Sequence, residues 1–182
     1  MNIFLQRMMS VLFILIMGFF GFALRADGAD KGKKELTEKE KRQEKYMKFL
    51  ASNGYTPELD PDGDVLFKYE GGNYIIQIDE SDNLYLRLLY PNFWEIESEE
   101  ERSDVLLAST VSNMRVKCAK VFMVQNNVWS VVEIFLLKPE DYEKLLPRSI
   151  SAIQSSVEVF RMNMQELKKA RDGKGKERKP NT

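Results

Sequence analysis

Three aspartates at alternate positions are the residues whose spacing most resembles a metal site. Asp60, Asp62 and Asp64 could supply the first carboxylates of a helix-loop-helix calcium loop, which is built from oxygen ligands at alternate positions. Such a loop also needs a glycine in its middle and a bidentate glutamate at its end, and this chain has Val65 and Gly71 there. The segment is therefore predicted to be a turn that starts a strand, with no metal bound.

The usual nucleophiles and general bases are scarce in this chain. Histidine is absent and cysteine occurs once, as Cys118, which excludes histidine-dependent triads and the histidine ligands of zinc hydrolases. A single thiol allows no internal disulfide, and Cys118 is predicted to be a small buried residue at the start of a strand. No catalytic residue and no cofactor site is assigned.

Glu133 stands within an apolar run, Val128–Leu137, that predicts a central strand. A carboxylate buried there would have a raised pKa and could act as an acid or as a ligand contact. The alternative is that Glu133 is solvated or paired with an arginine, and we favour it because no second carboxylate at a fixed spacing suggests an acid-base pair. A carboxylate-dependent envelope hydrolase, which would use such a buried carboxylate, is the alternative function.

Three aromatic residues, Tyr90, Phe93 and Trp94, follow the third predicted strand. Pro91 is expected to end that strand, because proline cannot donate to a sheet ladder. The three aromatics would then lie in a connector, where binding residues often occur, although such residues also cover the edges of cores. Tyr90, Phe93 and Trp94 are the candidate partner-binding residues.

Apolar residues at alternate positions predict two hairpins. Val65–Tyr69 and residues 74–78 alternate on either side of Gly71 and Gly72, which are expected to occupy the positive-φ positions of the turn. A third strand follows at residues 84–90, and a second hairpin is predicted at residues 119–137. The sheet is expected to have five antiparallel strands.

Three helices are predicted around these strands. One ends at Asn53-Gly54, and a second begins at the capping box of Ser98 and Glu101 and runs to about Arg115. The last helix follows Pro139 and is expected to bend or restart at Pro147. The order is α-β-β-β-α-β-β-α, an α+β fold with helices packed on the sheet. Two helical faces are expected to be buried: Val105, Ala108, Ser109 and Ser112, and Ile150, Ile153, Val157, Phe160 and Met164.

Both ends of the chain differ in composition from the predicted domain. Met8–Leu24 is an uncharged apolar run after Arg7, followed by small residues that permit cleavage after Gly28, which is typical of a signal peptide. An uncleaved membrane anchor is the alternative, since the run reaches the short limit of a spanning helix. We predict a signal peptide or anchor at 1–28, a polar tether at 29–43, the domain at 44–165 and a disordered basic tail at 166–182.

The landmarks of the domain resemble those of the bacterial YbjN-like family. The resemblance covers residues 44–165 and depends on four groups of residues: Phe49-Leu50 with Gly54-Tyr55; Asp62-Gly63-Asp64 with Phe67-Lys68-Tyr69-Glu70-Gly71; Tyr74, Ile76 and Ile78-Asp79; and Val128-Trp129 with Glu133. It implies a type III secretion chaperone-like fold, a role in sensing, regulation or chaperone-like binding, and no catalytic residues. The leader and the basic tail are departures from the cytoplasmic members of that family.

These observations favour an exported, non-enzymatic protein-binding or chaperone/sensor-like module in the periplasm or cell envelope. A protein partner is expected, and a homodimer is predicted because the sheet offers more apolar surface than three short helices would cover. The formal net charge is −1 and the strand aromatics lack basic neighbours, so no nucleic acid is expected as a ligand. A membrane-surface adaptor, tethered through the leader and the tail, is a further alternative.

Overall fold

The computed structural model describes residues 35–177, an α+β domain with helices and one antiparallel sheet. The predicted leader, 1–28, lies outside the described residues. The helices are α1 (Glu38–Ser52), α2 (Glu99–Arg115) and α3 (Tyr142–Glu177), with a short 3-10 helix at Pro139–Asp141. The strands are β1 (Glu58–Leu59), β2 (Val65–Tyr69), β3 (Gly72–Gln77), β4 (Tyr85–Glu95), β5 (Ala119–Val124) and β6 (Asn127–Phe135).

The sheet has six strands in the order β1-β2-β3-β4-β6-β5, and every pairing is antiparallel. The predicted fold class is confirmed, but the predicted number of strands is one too low. The additional strand, β1, pairs only Glu58 with Leu66 and Leu59 with Val65, and two residues are too few to show an alternating pattern. The last predicted strand, β6, lies between β4 and β5 and is central as predicted.

One face of the sheet and the helices form the hydrophobic core. Alternate residues of neighbouring strands meet on this face, as Ile76 and Leu88 do, and Leu88 is opposite Val132 on β6. The predicted buried face of α2 is confirmed, since Val105, Ala108, Ser109 and Ser112 are all buried. Small residues on that face allow α2 to pack closely on α3 and β5.

Helix α1 begins within the segment for which the sequence predicts a polar tether. Thr37 and Glu40 form a capping box, in which each side chain bonds the backbone N–H of the other. Farther along, the Arg42 guanidinium donates to the carbonyls of Asp79, Asp82 and Tyr85. These polar contacts, and not apolar burial, hold the first turns of α1, so helix replaces part of the tether predicted at 29–43.

Helix α3 is continuous through Pro147 and extends to Glu177. Its predicted apolar stripe is confirmed, because Ile150, Ile153, Val157, Phe160 and Met164 are all buried in the core. The helix enters the segment 166–182, for which the composition predicts a disordered tail, and residues 178–182 lie outside the described part. No helix within residues 35–177 is both long enough and apolar enough to cross a bilayer.

Candidate functional site

Strand β4 continues through Pro91, which the sequence analysis placed at its end. The strand runs from Tyr85 to Glu95, and its register with β6 shifts between Tyr90 and Trp94. Asn92 lies within that shift at a φ of 54°, the left-handed conformation that asparagine tolerates. An irregularity of this kind accommodates a proline within a strand. The prediction that these aromatics lie in a connector is therefore wrong.

The three candidate aromatics lie in three different environments. Tyr90 is partly exposed and stacks on Tyr74, with ring centroids 4.8 Å apart. Phe93 is buried, and its ring meets that of Phe160 edge to face at 5.2 Å. Trp94 is partly exposed, and its Nε1 donates to Glu101 at 3.0 Å. Tyr90 and Trp94 thus reach the surface, whereas Phe93 belongs to the core.

Tyr90 opens onto a cavity of about 350 Å³ between the β2–β3 hairpin and helix α3. We name it the tyrosine cavity, and its lining includes Tyr69, Tyr74, Tyr90, Glu158, Arg161 and Met162. The three phenol rings come from three successive strands, Glu70 comes from the hairpin turn, and Glu158, Arg161 and Met162 come from one helix. Strands and a helix hold these side chains more rigidly than a loop would.

Gly72 lies at the wall of the tyrosine cavity. Its neighbours leave no room for a side chain at this position. A Cβ at this position would lie 3.0 Å from Cζ of Tyr90 and 3.1 Å from Cε2 of Tyr74. The turn of the hairpin is one residue earlier than predicted: Glu70 and Gly71 have positive φ angles of 46° and 78°, as a two-residue hairpin turn requires. The packing of two rings, and not backbone conformation, therefore requires glycine at position 72.

Two phenols of the tyrosine cavity, those of Tyr69 and Tyr74, have a raised pKa. Burial raises the pKa of Tyr74, and the neighbouring Tyr90 and Glu70 add to this effect. The Glu70 carboxylate also raises the pKa of Tyr69. Glu70 in turn accepts a hydrogen bond of 2.5 Å from Nε2 of Gln154, which ties the hairpin turn to α3. The cavity thus combines phenol rings with carboxylates.

A second depression adjoins the tyrosine cavity along α3. We name it the Trp94 cleft, a space of about 510 Å³ whose lining includes Trp94, Glu97, Lys168 and Arg171. Gln165 lines both the cleft and the tyrosine cavity. Arg171 pairs with Asp104 at 3.0 Å and joins α3 to α2 at this point. Together the two depressions form one partly aromatic surface beside α3.

Glu133 is paired, as the favoured interpretation predicts. Its carboxylate accepts hydrogen bonds from Lys120 at 2.6 Å and from the Tyr85 hydroxyl at 2.7 Å, and Nε of Arg87 lies 3.2 Å away. The hydrogen bond from Lys120, followed by that from Tyr85, lowers the pKa of Glu133. This direction is opposite to the raised pKa that a buried general acid would need.

The aspartate segment is a turn, as predicted. Oδ1 of Asp60 accepts from the backbone N–H groups of Asp62 and Asp64 at 2.9 and 2.8 Å, and Gly63 has a φ of 83°. Within residues 35–177, no group of three or more histidine, cysteine, aspartate or glutamate residues is arranged to hold a metal ion. The carboxylates of this segment instead cap backbone donors.

The prediction for Cys118 is wrong. Cys118 is exposed, and its φ of 66° places it in the turn between α2 and β5. The strand begins one residue later, at Ala119, which takes the buried position instead. Free cysteine is buried often enough to suggest the opposite, but Cys118 lies one residue before the strand, where its side chain is exposed.

Most residues of the tyrosine cavity were not predicted from the sequence to form a site. Tyr69 and Tyr74 read as ordinary strand residues, and Glu158, Arg161 and Met162 read as the solvated side of a helix. The one local indication was the pair of tyrosines on either side of Gly72, since a glycine within a strand marks the close approach of another group. The residues near the hairpin do not indicate that α3 contributes to the cavity, because Gln154 is distant in sequence from Glu70.

Comparison with known proteins identifies the fold alone. No family model matches the chain, and no curated protein matches it. The crystal structure of YbjN from E. coli, for which a role as a transcription regulator is suggested, aligns with a TM-score of 0.50 over 68% of this chain and 92% of YbjN. The sequence identity is 13%, so the alignment supports a YbjN-like fold.

Proposed function

We propose that this domain is a non-enzymatic protein-binding module of the chaperone or sensor type. Its recognition surface comprises the tyrosine cavity and the Trp94 cleft. The observation that supports this most directly is the cluster of Tyr69, Tyr74 and Tyr90 around a concave surface. Tyrosine and tryptophan provide large, rigid contact area with one polar end, and they are enriched at the energetic centres of protein interfaces.

The exposed side of α3 supports a partner that is a protein segment. Met162 is 52% exposed beside the tyrosine cavity, and an adaptable thioether is common on surfaces that bind peptides. Gln154 and Gln165 also line the cavity and can bond a partner's backbone. Aromatic rings, a thioether and amides suit an extended peptide better than a small polar metabolite.

A crosslinking pull-down with a matched pair of variants tests this proposal. Met162→Glu places a charge beside the tyrosine cavity, whereas Met114→Glu places the same charge on α2, where Met114 is 81% exposed. We expect the parent and Met114→Glu to recover the same protein partners from envelope fractions and Met162→Glu to lose about tenfold in recovery, the cost of one poorly solvated charge. Equal recovery with both folded variants would overturn the proposal.

A carboxylate-dependent hydrolase is the second candidate, because Glu70 and Glu158 line the same cavity. Both side chains are exposed, whereas the acid of a glycoside hydrolase is kept protonated by an apolar environment. The assay is turnover of envelope glycans by the purified domain, with Glu70→Gln and Glu158→Gln as controls. If the domain turns over a glycan and either substitution abolishes that turnover, the hydrolase function replaces the binding proposal.

Export and self-association complete the proposed function. The apolar run before Gly28 supports a cleaved leader, and it would place the domain in the periplasm or cell envelope. Two exposed apolar side chains support a homodimer. Phe135, the last residue of β6, is 78% exposed, and Leu137, which follows the strand, is 92% exposed. A membrane tether through an uncleaved leader is the alternative arrangement.

A further inference from the structure

The hydroxyl of Tyr74 is a polar group without a hydrogen-bond partner among the residues that the structure describes. Tyr74 is only 2% exposed, and its ring lies between those of Phe67 and Tyr90 at centroid distances of 5.5 and 4.8 Å. Tyr74 nevertheless lines the tyrosine cavity, and we find no hydrogen bond to its hydroxyl from any residue of the described part. The hydroxyl oxygen is reachable from the cavity, because it is not one of the enclosed side-chain atoms that lack a partner within the described residues, and tyrosine hydroxyls in such positions usually have a partner. A ligand in the cavity would supply one.

The charges around this hydroxyl favour a cation. Glu70 and Glu158 line the cavity with one guanidinium, that of Arg161, so carboxylates outnumber cations. Neither Glu158 nor Arg161 forms an ion pair with another residue in the range 35–172, and both are exposed. A positively charged group therefore gains more in the cavity than an anion does.

The shape of the cavity suits a cation at the end of an apolar stem. Val157 and the half-exposed Met162 provide an apolar part of the lining beside the charged groups. Lysine and arginine side chains place their methylene stems along such surfaces and keep the charged end in polar surroundings. The volume of about 350 Å³ lies at the lower end of the range of small ligand pockets. A single side chain fits this space better than a large cofactor.

We infer that the tyrosine cavity binds a lysine or arginine side chain presented by the protein partner. The inference rests on the proposed binding function and adds the chemistry of the recognised group. The cationic nitrogen donates to the Tyr74 hydroxyl oxygen and is attracted by the carboxylates of Glu70 and Glu158, and the methylene stem lies against Met162. The positive charge of Arg161 repels this ligand and weakens its binding.

Short peptides that differ at one central residue test the inference by NMR titration. Acetylated Ser/Gly peptides with lysine, arginine, norleucine or glutamate at the centre are added to the full chain, and the backbone amide of Gly72 is followed. We expect saturable shifts with lysine and arginine that weaken with added salt, as exposed ion pairs do. Norleucine has the same stem without the charge and is the matched control. Binding of the norleucine or glutamate peptide as tightly as the lysine peptide would overturn the inference.

Two charge variants on one exposed side of α3 give opposite expected results. Glu158→Gln should weaken binding of the lysine peptide about threefold to tenfold, and Arg161→Gln should strengthen it by a similar factor, as expected for single partly exposed charges. Tyr74→Phe should also weaken it, because the hydroxyl is lost. If Arg161→Gln instead abolishes binding, the cavity holds an anion and the inference is wrong.

Three further outcomes separate this inference from the proposed function. Butylamine that binds as tightly as the lysine peptide would show that a small amine is the ligand, which contradicts recognition of a protein side chain. Loss of partner recovery in Met162→Glu, together with no preference for cationic peptides, would retain the binding function and reject only the cation. Equal recovery with Met162→Glu and Met114→Glu would reject the binding function itself.

Discussion

The carboxylate of Glu133 should make the stability of the domain depend on pH. Its hydrogen bonds to Lys120 and Tyr85 lower its pKa in the folded state below the value of about 4.3 in an unfolded chain. Its stabilising contribution is therefore complete above that unfolded value and is lost as the pH falls through the lower folded value. We expect Glu133→Gln to reduce the free energy of unfolding at pH 7 by about 1–2 kcal/mol, between the values for exposed and buried pairs.

Urea unfolding between about pH 7 and pH 3, the range over which carboxylates titrate, measures this effect. The curves of the parent and Glu133→Gln should converge as the pH falls, because the parent then loses the charge that the variant lacks. Glu44→Gln is the control, since Glu44 is exposed and has no hydrogen bond or ion pair within the described residues. A difference that stays constant over the whole pH range would contradict the assignment.

Gly72 should tolerate no side chain without loss of stability. In Gly72→Ala the new methyl group would lie 3.0 Å from the Tyr90 ring, so the stacked tyrosines must shift. We expect a loss of about 1–3 kcal/mol, the usual cost of overpacking, measured by thermal or urea unfolding. Asn73→Ala is the control, because Asn73 is the next residue along β3 and is exposed. Unchanged stability of Gly72→Ala would contradict the described packing.

Single residues were predictable from the sequence where the cause of their conformation is local. The Asp60 turn follows from neighbouring residue types and was predicted correctly, whereas the partners of Glu133 lie on β4 and β5, so the sequence predicted that Glu133 is solvated or paired but not which residues pair with it. Cys118 was not, because its exposure depends on one left-handed residue at the end of α2. Gly72 was taken for a turn residue because sequence alone does not show that the ring of Tyr90, on another strand, approaches it.

A buried serine cluster should fix the position of α3 on the sheet. Ser156 donates to the carbonyl of Ile153 at 2.7 Å, and its Oγ lies 2.7 Å from Oγ of Ser130 on β6. Both serines are fully buried. Ser156→Ala leaves the Ser130 hydroxyl without this partner, and we expect a loss of about 1–3 kcal/mol in the free energy of unfolding.

A double-mutant cycle separates this contact from general loss of packing. Once Ser156 is alanine, Ser130→Ala should cost little, giving a coupling energy of at least about 0.5 kcal/mol by urea unfolding. Ser155→Ala is the matched control, because Ser155 is exposed and its hydroxyl bonds the carbonyl of Ser151 on the same helix. Additive losses in the two buried serines would contradict a direct contact.

Elements were predictable where the sequence marks both ends. Helix α2 has a capping serine, Ser98, and its predicted start and end agree with the structure, although Glu101 bonds the N–H of Glu97 and not that of Ser98. Strand β4 was predicted too short because proline usually ends a strand, and the positive φ of Asn92 that accommodates Pro91 depends on pairing with β6. Strand β1 exists only through its pairing with β2.

At the scale of the whole molecule, the leader can be tested separately from the fold. If the apolar run is a signal peptide, protein from envelope fractions should begin at Ala29, after the small residues Ala26 and Gly28. Intact mass spectrometry of that protein measures the cut, and its mass in solution tests the predicted homodimer. An intact Met1 in the membrane fraction would support the anchor, and a monomer at high concentration would contradict the dimer.

The tyrosine cavity exists only at the scale of the whole domain. Its rings lie on strands that sequence periodicity locates, but its other wall comes from α3, and the contact between Glu70 and Gln154 joins distant parts of the chain. Periodicity assigns a residue to a face of its own element and says nothing about which element faces it. The sequence analysis therefore found Tyr90 and Trp94 without the surface to which they belong.

Site-specific photocrosslinking at two methionine positions tests the central proposal most directly. A photoreactive residue at position 162 lies beside the tyrosine cavity, and one at position 114 is exposed on α2. We predict that position 162 crosslinks to a protein partner in envelope preparations, that excess lysine peptide reduces this product, and that position 114 gives no such product. Equal crosslinking at both positions, or none at position 162 in the folded protein, would contradict the proposal that this surface binds a partner.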